Sequence, residues 1–144
     1  MDPIIYLFFN GTCLEAMTRY AEVLGGEVIE VTRNADAPDD ESRMPGGDDM
    51  IMNMRIRIGS ATLMASDAPT QMYRLPQGFR VQIAPGSLAE FDRFFSALSD
   101  GALSIDMPPA ETFWAERFAM FTDKYGTPWM LNFAGAKARQ EAAA

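Results

Sequence analysis

The chain has no histidine, a single cysteine and no apolar run long enough to cross a membrane. Each absence excludes a class of function. Without histidine there is no Ser-His-Asp or Cys-His catalysis, and no histidine-ligated zinc or iron site. Cys13 stands alone, so no internal disulfide forms. It lies where a helix is expected to begin, a position that lowers thiol pKa values; a small buried side chain is the simpler reading. A membrane span needs roughly 18–20 apolar residues in succession. The opening MDPIIYLFFNG lacks the basic start and small-residue cleavage site of a secretory signal. A soluble, cytoplasmic protein is expected. Cations are scarce as well: 12 Lys and Arg face 20 Asp and Glu, giving a net charge of −8 and a pI near 4.4. Nucleic acid and anionic membrane surfaces, which require basic patches, are therefore not expected partners.

What is present is a repeat. Residues 3–9, PIIYLFF, form an apolar run of strand length. Thr12 and Glu15 then have the spacing of a capping box. Leu14, Met17, Tyr20, Ala21 and Leu24 follow at helical spacing, and Gly25 and Gly26 close the helix. EVIEVTR, 27–33, is an alternating strand. The same order recurs: GFRVQIA (78–84) as strand, Ser87 and Glu90 as a second box, Leu88, Phe91, Phe94, Phe95 and Leu98 as a helical face, Gly101 as the stop, and a strand from ALSIDM. Thr12 to Ser87, Glu15 to Glu90 and Gly26 to Gly101 share one offset of 75 residues. Each unit ends in an expected hairpin, 50–58 with 61–67 and 116–123 with 127–134. The fold class is α+β, with two tandem βαβββ modules, 3–67 and 78–134, in one domain over 1–144. The tail 135–144 is expected to be a short frayed helix.

Residues 34–49 break the pattern. Asp36, Asp39, Asp40, Glu41, Asp48 and Asp49 are interspersed with Pro38, Pro45, Gly46 and Gly47. No apolar period survives, so a long, flexible, acidic loop is expected. The ordered ligand spacing of an EF-hand is missing.

Three stretches, YLFFNGTCLEAMTRYAEVLGGEV, RIGSATLMASDA and ETFWAERFAMFTDKYGTPWMLNF, give the chain a family likeness. It resembles the glyoxalase/bleomycin-resistance/extradiol-dioxygenase (vicinal oxygen chelate) superfamily, and within it the PhnB-like branch. The resemblance implies that the modules bend into a curved, open-barrel-like mixed sheet with a central cavity, and that the protein is a homodimer. PhnB-like proteins are also labelled 3-demethylubiquinone-9 3-methyltransferases, but no glycine-rich nucleotide loop follows a strand here. In metal-using members four ligands enter the cavity. Carried onto this chain, those positions fall on Ile5, on Leu63 or Met64, on Phe79 and on Met130. None of these side chains is a usual ligand, so no metal cofactor is expected and metal-dependent glyoxalase or dioxygenase chemistry is not expected.

Strand periodicity supplies the other candidates. On 50–58, Met50, Met52, Met54, Ile56 and Ile58 share one face and Asn53, Arg55 and Arg57 the other. Arg55 suits a carboxylate or phosphonate through its planar fork, or is a solvated strand residue. Asn132 shares a face with Met130 and suits a ligand amide contact or a structural one. Ser66 and Asp67 end a strand; Asp67 is the best-placed acid/base candidate, and turn chemistry also explains both. Phe113, Trp114 and Trp129 form an aromatic wall or a core. The expected ligand-binding set is Asn53, Arg55, Ser66, Trp114, Met120, Met130 and Asn132, with Asp67 and Arg55 as catalytic candidates. The favoured expectation is a metal-independent binding protein for a small, partly apolar molecule. The alternatives are an enzyme with a non-standard site, lyase- or transferase-like, and a structural or regulatory homodimer whose cavity is filled.

Overall fold

The computed structural model describes residues 1–138. The chain divides into two compact units, one spanning Met1–Arg74 and the other starting at Leu75. Each is a four-stranded mixed sheet with one helix on one face.

In the first unit the elements run β1 (Ile5–Phe9), α1 (Cys13–Leu24), β2 (Glu27–Arg33), β3 (Ile51–Ile58) and β4 (Ala61–Asp67), with sheet order β1-β4-β3-β2. β1 lies parallel to β4, and the other pairs are antiparallel. The second unit repeats this with β5 (Val81–Ile83), α2 (Leu88–Leu98), β6 (Ser104–Ala110), β7 (Arg117–Thr122) and β8 (Pro128–Phe133), in the order β5-β8-β7-β6. Both βαβββ modules thus form as the repeat implies. The first strand of the second module is shorter than 78–84, because only Val81, Gln82 and Ile83 pair with β8.

The cores follow from period 3.6 meeting period 2. From α1, Cys13, Ala16, Met17, Tyr20 and Ala21 are buried. They meet Leu7, Phe9, Met54, Ile56, Leu63 and Ala65, which alternate along the strands. The expected helical face is rotated slightly: Leu14 is exposed, and Cys13 and Ala16 take its place. From α2, Phe91, Phe94 and Leu98 are buried, while Leu88 is exposed and Phe95 packs edge-on against Phe121 at 5.4 Å.

The methionine face expected on 50–58 is broken by a bulge. Thr32 pairs with Asn53 but Arg33 pairs with Ile51, so Met52 is an extra residue. Parity flips there, and Ile51 rather than Met50 or Met52 is buried. On β6, pairing skips Asp106 and then slips again before Ala110, across Pro108 and Pro109. Proline has no N–H for the ladder, so such slips belong on an edge strand.

The 34–49 loop is ordered by its own side chains, not loose as its composition suggests. Buried Asn34 donates through Nδ2 to the Met44 and Gly47 carbonyls and accepts from the Met44 N–H. Two short 3-10 turns, Asn34–Asp36 and Asp40–Ser42, use Asp36 and Asp39 as local acceptors. Of the tail, 135–137 make a 3-10 turn capped by Ala138, and residues 139–144 of the expected helix fall outside the described residues.

Candidate functional site

Each sheet has a helix-covered face and an open face. In the first unit the ladder aligns Tyr6, Met64, Arg55 and Glu30 in one row across β1, β4, β3 and β2. All four lie opposite in parity to buried Leu7, Ala65 and Met54 and half-buried Val31, and so on the open face. Ser66, two residues from Met64, and Asn53, two from Arg55, share that face. The expected ligand-binding residues of this unit, Asn53, Arg55 and Ser66, are therefore brought together.

Their hydrogen bonding is incomplete. The Arg55 Nε is buried with no partner, and no described residue accepts from the rest of its guanidinium. Arg57, in contrast, pairs with Glu27, and Arg43 with Asp48 at 2.9 Å.

Asp67 is placed elsewhere. It is 3 % exposed and on the helix side, paired in the ladder with buried Phe9. Its Oδ1 accepts from the Cys13 N–H and its Oδ2 from the Ile51 N–H, both at 3.0 Å. It takes the capping role expected of Thr12, whose side chain makes no cap bond. Both carboxylate oxygens are engaged by backbone, and neither faces Arg55. Beside it, burial pushes the Cys13 thiol well above its ordinary range, and the Asp67 charge adds to that. A neutral buried thiol is what the sequence's simpler reading holds.

In the second unit the open face carries Gln82, Met130, Met120 and Met107 in one row across β5, β8, β7 and β6. Asn132 pairs with Phe118, and Trp114 packs edge-on against Phe118 with ring centroids 5.3 Å apart. The Asn132 Oδ1 is buried without a donor. Trp114, Met120, Met130 and Asn132 thus lie along one face. Trp129 does not join them. It is fully buried on the helix side, its indole N–H donating to Asp123 Oδ2 at 2.8 Å. The same carboxylate's Oδ1 accepts from the Tyr125 and Thr127 N–H groups, fixing the β7–β8 turn. The aromatic wall is therefore reduced to Phe113 and Trp114, 4.9 Å apart.

A cleft of about 660 Å³ opens on this face, between the 75–80 segment and β6, β7 and β8. Phe79, Gln82, Met130 and Thr122 line it, with the ion pair of Arg80 and Asp106 at 2.9 Å. Arg80 also donates to the Phe121 and Trp129 carbonyls. Its guanidinium holds the Asp106 carboxyl below the usual carboxylate range. This arginine is committed to the protein; Arg55 is not.

The register also revises the metal stations. Ile5 and Leu63 pair on the helix side, where Leu63 is buried. The open-face residues of β1 and β4 are Tyr6 and Met64, and those of β5 and β8 are Gln82 and Met130, the latter pair again in direct register. Phe79 precedes β5 and lines the cleft. Neither pair, a phenol with a thioether or a primary amide with a thioether, supplies the imidazole, thiolate or carboxylate that divalent transition metals usually take. Among the described residues no group of three or more Cys, Asp or Glu is placed to hold a metal ion. Tyr6 and Phe8 read as core from the apolar run of β1, yet only Phe9 of the three aromatics is buried, and Gln82 gives no sequence signal because β5 is three residues long. Alternation alone does not say which face is open.

Two βαβββ units with paired open-face stations on their first and last strands define a vicinal-oxygen-chelate type of protein. The family model for the Glyoxalase/Bleomycin resistance protein/Dioxygenase superfamily matches residues 6–131, and the chain belongs to that superfamily. It is 33% identical to protein YjdN of Escherichia coli K12 over 135 residues, 88% of this chain and 91% of that one. The crystal structure of protein PA1353 from Pseudomonas aeruginosa is 38% identical with a TM-score of 0.80, covering 92% of this chain and 97% of that chain. The PhnB protein of Bacillus cereus shares the fold at 24% identity and a TM-score of 0.78, over 93% of this chain and all of that one. No helix among the described residues is long and apolar enough to cross a membrane.

Proposed function

We propose that the protein binds a small, partly apolar organic molecule on the open faces of its sheets, without a metal ion, and acts by holding it. The observation that carries this reading is a pair of buried, unpartnered polar atoms, Arg55 Nε and Asn132 Oδ1, one on each open face. A buried polar group without a partner costs about 1–3 kcal/mol, and folded proteins retain few of them. A ligand on each face that supplies its missing partner explains each of them. The cleft volume falls in the range of small-molecule sites, roughly 300–1,000 Å³. Met64, Met107, Met120 and Met130 add flexible thioether surface that adapts to apolar ligands. Acid/base catalysis through Asp67 has no support, since its oxygens are taken up by Cys13 and Ile51.

The test is a thermal-shift screen of the full chain against small organic molecules, repeated on Arg55→Met and Asn132→Leu. Each substitution removes an unsatisfied atom while keeping the bulk, so the free protein should keep its Tm or gain. The response to a ligand found with the parent chain should fall. Two variants that lose Tm heavily, together with no stabilising compound, would show the atoms to be structural and overturn the reading. A homodimer belongs to the same proposal. The edge strands leave Ile5 and Ile105 exposed; a monomer mass by sedimentation equilibrium at micromolar concentration would remove that part.

A further inference from the structure

We infer that the first unit's open face takes a small monocarboxylate with an aromatic or aliphatic body, the carboxylate on Arg55 and the body on Tyr6 and Phe8. This rests on the binding reading above and names the ligand class of one of its two faces.

Charge is the first argument. Arg43, Arg57, Arg80, Arg93 and Arg117 each lie within ion-pair distance of a carboxylate. Arg55 has none, although Glu30 is its neighbour across the β2–β3 ladder. A guanidinium is a cation, and its desolvated Nε–H gains most from an anionic acceptor. A planar carboxylate meets such a fork through two parallel hydrogen bonds.

The neighbours are donors too. Ser66 is 4 % exposed, and its hydroxyl, the Asn53 amide and the Tyr6 hydroxyl can each donate. They flank Arg55 on the same face, within one or two strand spacings. The body of the ligand is set by what lies beside them. The Tyr6 and Phe8 rings stand 5.1 Å apart at 45°, with 37 % and 53 % of each residue exposed. Met64 separates Tyr6 from Arg55 in the row. An apolar group attached to a carboxylate on Arg55 therefore reaches thioether and ring faces.

Arg55 is the one cation in the row with Tyr6, Met64 and Glu30, and it sets the ligand's charge. Arg57 is already neutralised by Glu27, and Glu30 is negative. A phosphoryl or phosphonyl dianion would leave one negative charge uncompensated beside Glu30, on a chain of net charge −8. A monocarboxylate brings the smallest negative charge that an anionic partner of Arg55 can carry beside Glu30.

The experiment is isothermal titration of the full chain at pH 8 with benzoate, its neutral isostere benzamide, and the dianion phenylphosphonate. Benzoate should bind at least about 10-fold more tightly than either of the others. Arg55→Met should erase that preference, and Arg55→Lys should restore part of it, with the Tm of free Arg55→Met no lower than the parent's. Tyr6→Ala should weaken benzoate and benzamide alike. Benzamide binding as well as benzoate, tighter binding of phenylphosphonate, or an unchanged benzoate affinity in Arg55→Met would overturn the inference. Should benzoate fail to bind while the thermal-shift screen yields a neutral ligand, this inference falls and the binding function stands. Should neither experiment give a ligand, both fall.

Discussion

Three aspartates and an arginine show how much the role of a charged residue depends on its unspent valences. Asp67 and Asp123 are both almost fully buried, and each has its oxygens occupied by N–H donors. Asp106 is exposed and ion-paired. Only Arg55 keeps a desolvated donor with nothing to accept from it. In sequence Asp67 and Arg55 are both catalytic candidates, Asp67 the better placed for acid/base work; what separates them lies in backbone groups 16 and 54 residues away from Asp67, which no local pattern encodes. The consequence for Asp67 is measurable. Asp67→Ala leaves the Cys13 and Ile51 N–H groups buried without an acceptor, and should cost on the order of 2–4 kcal/mol. Urea denaturation reads that loss. Any ligand found by the screen should bind the folded variant as it binds the parent. A variant of unchanged stability and lost binding would place Asp67 in the site instead.

At the level of elements, the repeat is legible because punctuation is local chemistry. Both helices start and stop within a residue or two of where capping and glycine signals put them. The two starts nevertheless differ. Ser87 accepts from the Glu90 N–H at 3.1 Å and Glu90 reaches back to the Gly86 N–H, a box shifted by one residue. Thr12 is bypassed by the Asp67 carboxylate. The first helix's stop has two glycines for two reasons. Gly25 has φ of 71°, the left-handed cap that glycine adopts without strain. Gly26 lies against the sheet, where an added Cβ would stand 2.2 Å from the Arg57 carbonyl oxygen. Gly26→Ala therefore forces α1 and β3 apart and should cost about 1–3 kcal/mol. Gly47→Ala, with open space around it, should stay within about 0.5 kcal/mol of the parent. Chemical denaturation of the pair checks the contrast, and equal losses would refute the steric account. The bulges at Met52 and Asp106 mark where legibility ends. A bulge reverses inside and outside for every later residue, and long-range pairing decides where it falls.

The whole molecule carries a formal charge of −8, and its stability should depend on pH through few groups. On the acid side, Asp106 is held below the ordinary range chiefly by its hydrogen bond from Arg80, and Asp39 by its bonds from Ser42. A lowered carboxyl contributes stability that is present above the ordinary carboxylate pKa, about 3.9, and lost as pH falls through the lower folded value. Both residues are exposed, so this arm is shallow. The alkaline side differs in kind. Cys13 keeps its proton in the fold because burial raises it, with Asp67 adding to the effect. The unfolded chain gives up that proton above about pH 8.5. Stability is therefore full below that pH and falls as pH rises beyond it. One proton's difference amounts to about 1.4 kcal/mol per pH unit. Urea midpoints should thus be flat from about pH 5 to about pH 8 and decline above. Cys13→Ala leaves a small cavity and lowers the plateau, but it removes the titrating thiol, so its alkaline decline should be shallower by that slope. In the native state the parent thiol should also resist alkylation at pH 8, since the buried group supplies no thiolate. Parallel alkaline arms in parent and variant, or rapid labelling of the folded protein, would mean that Cys13 is accessible and that the packing beneath α1 is looser than its complete burial implies.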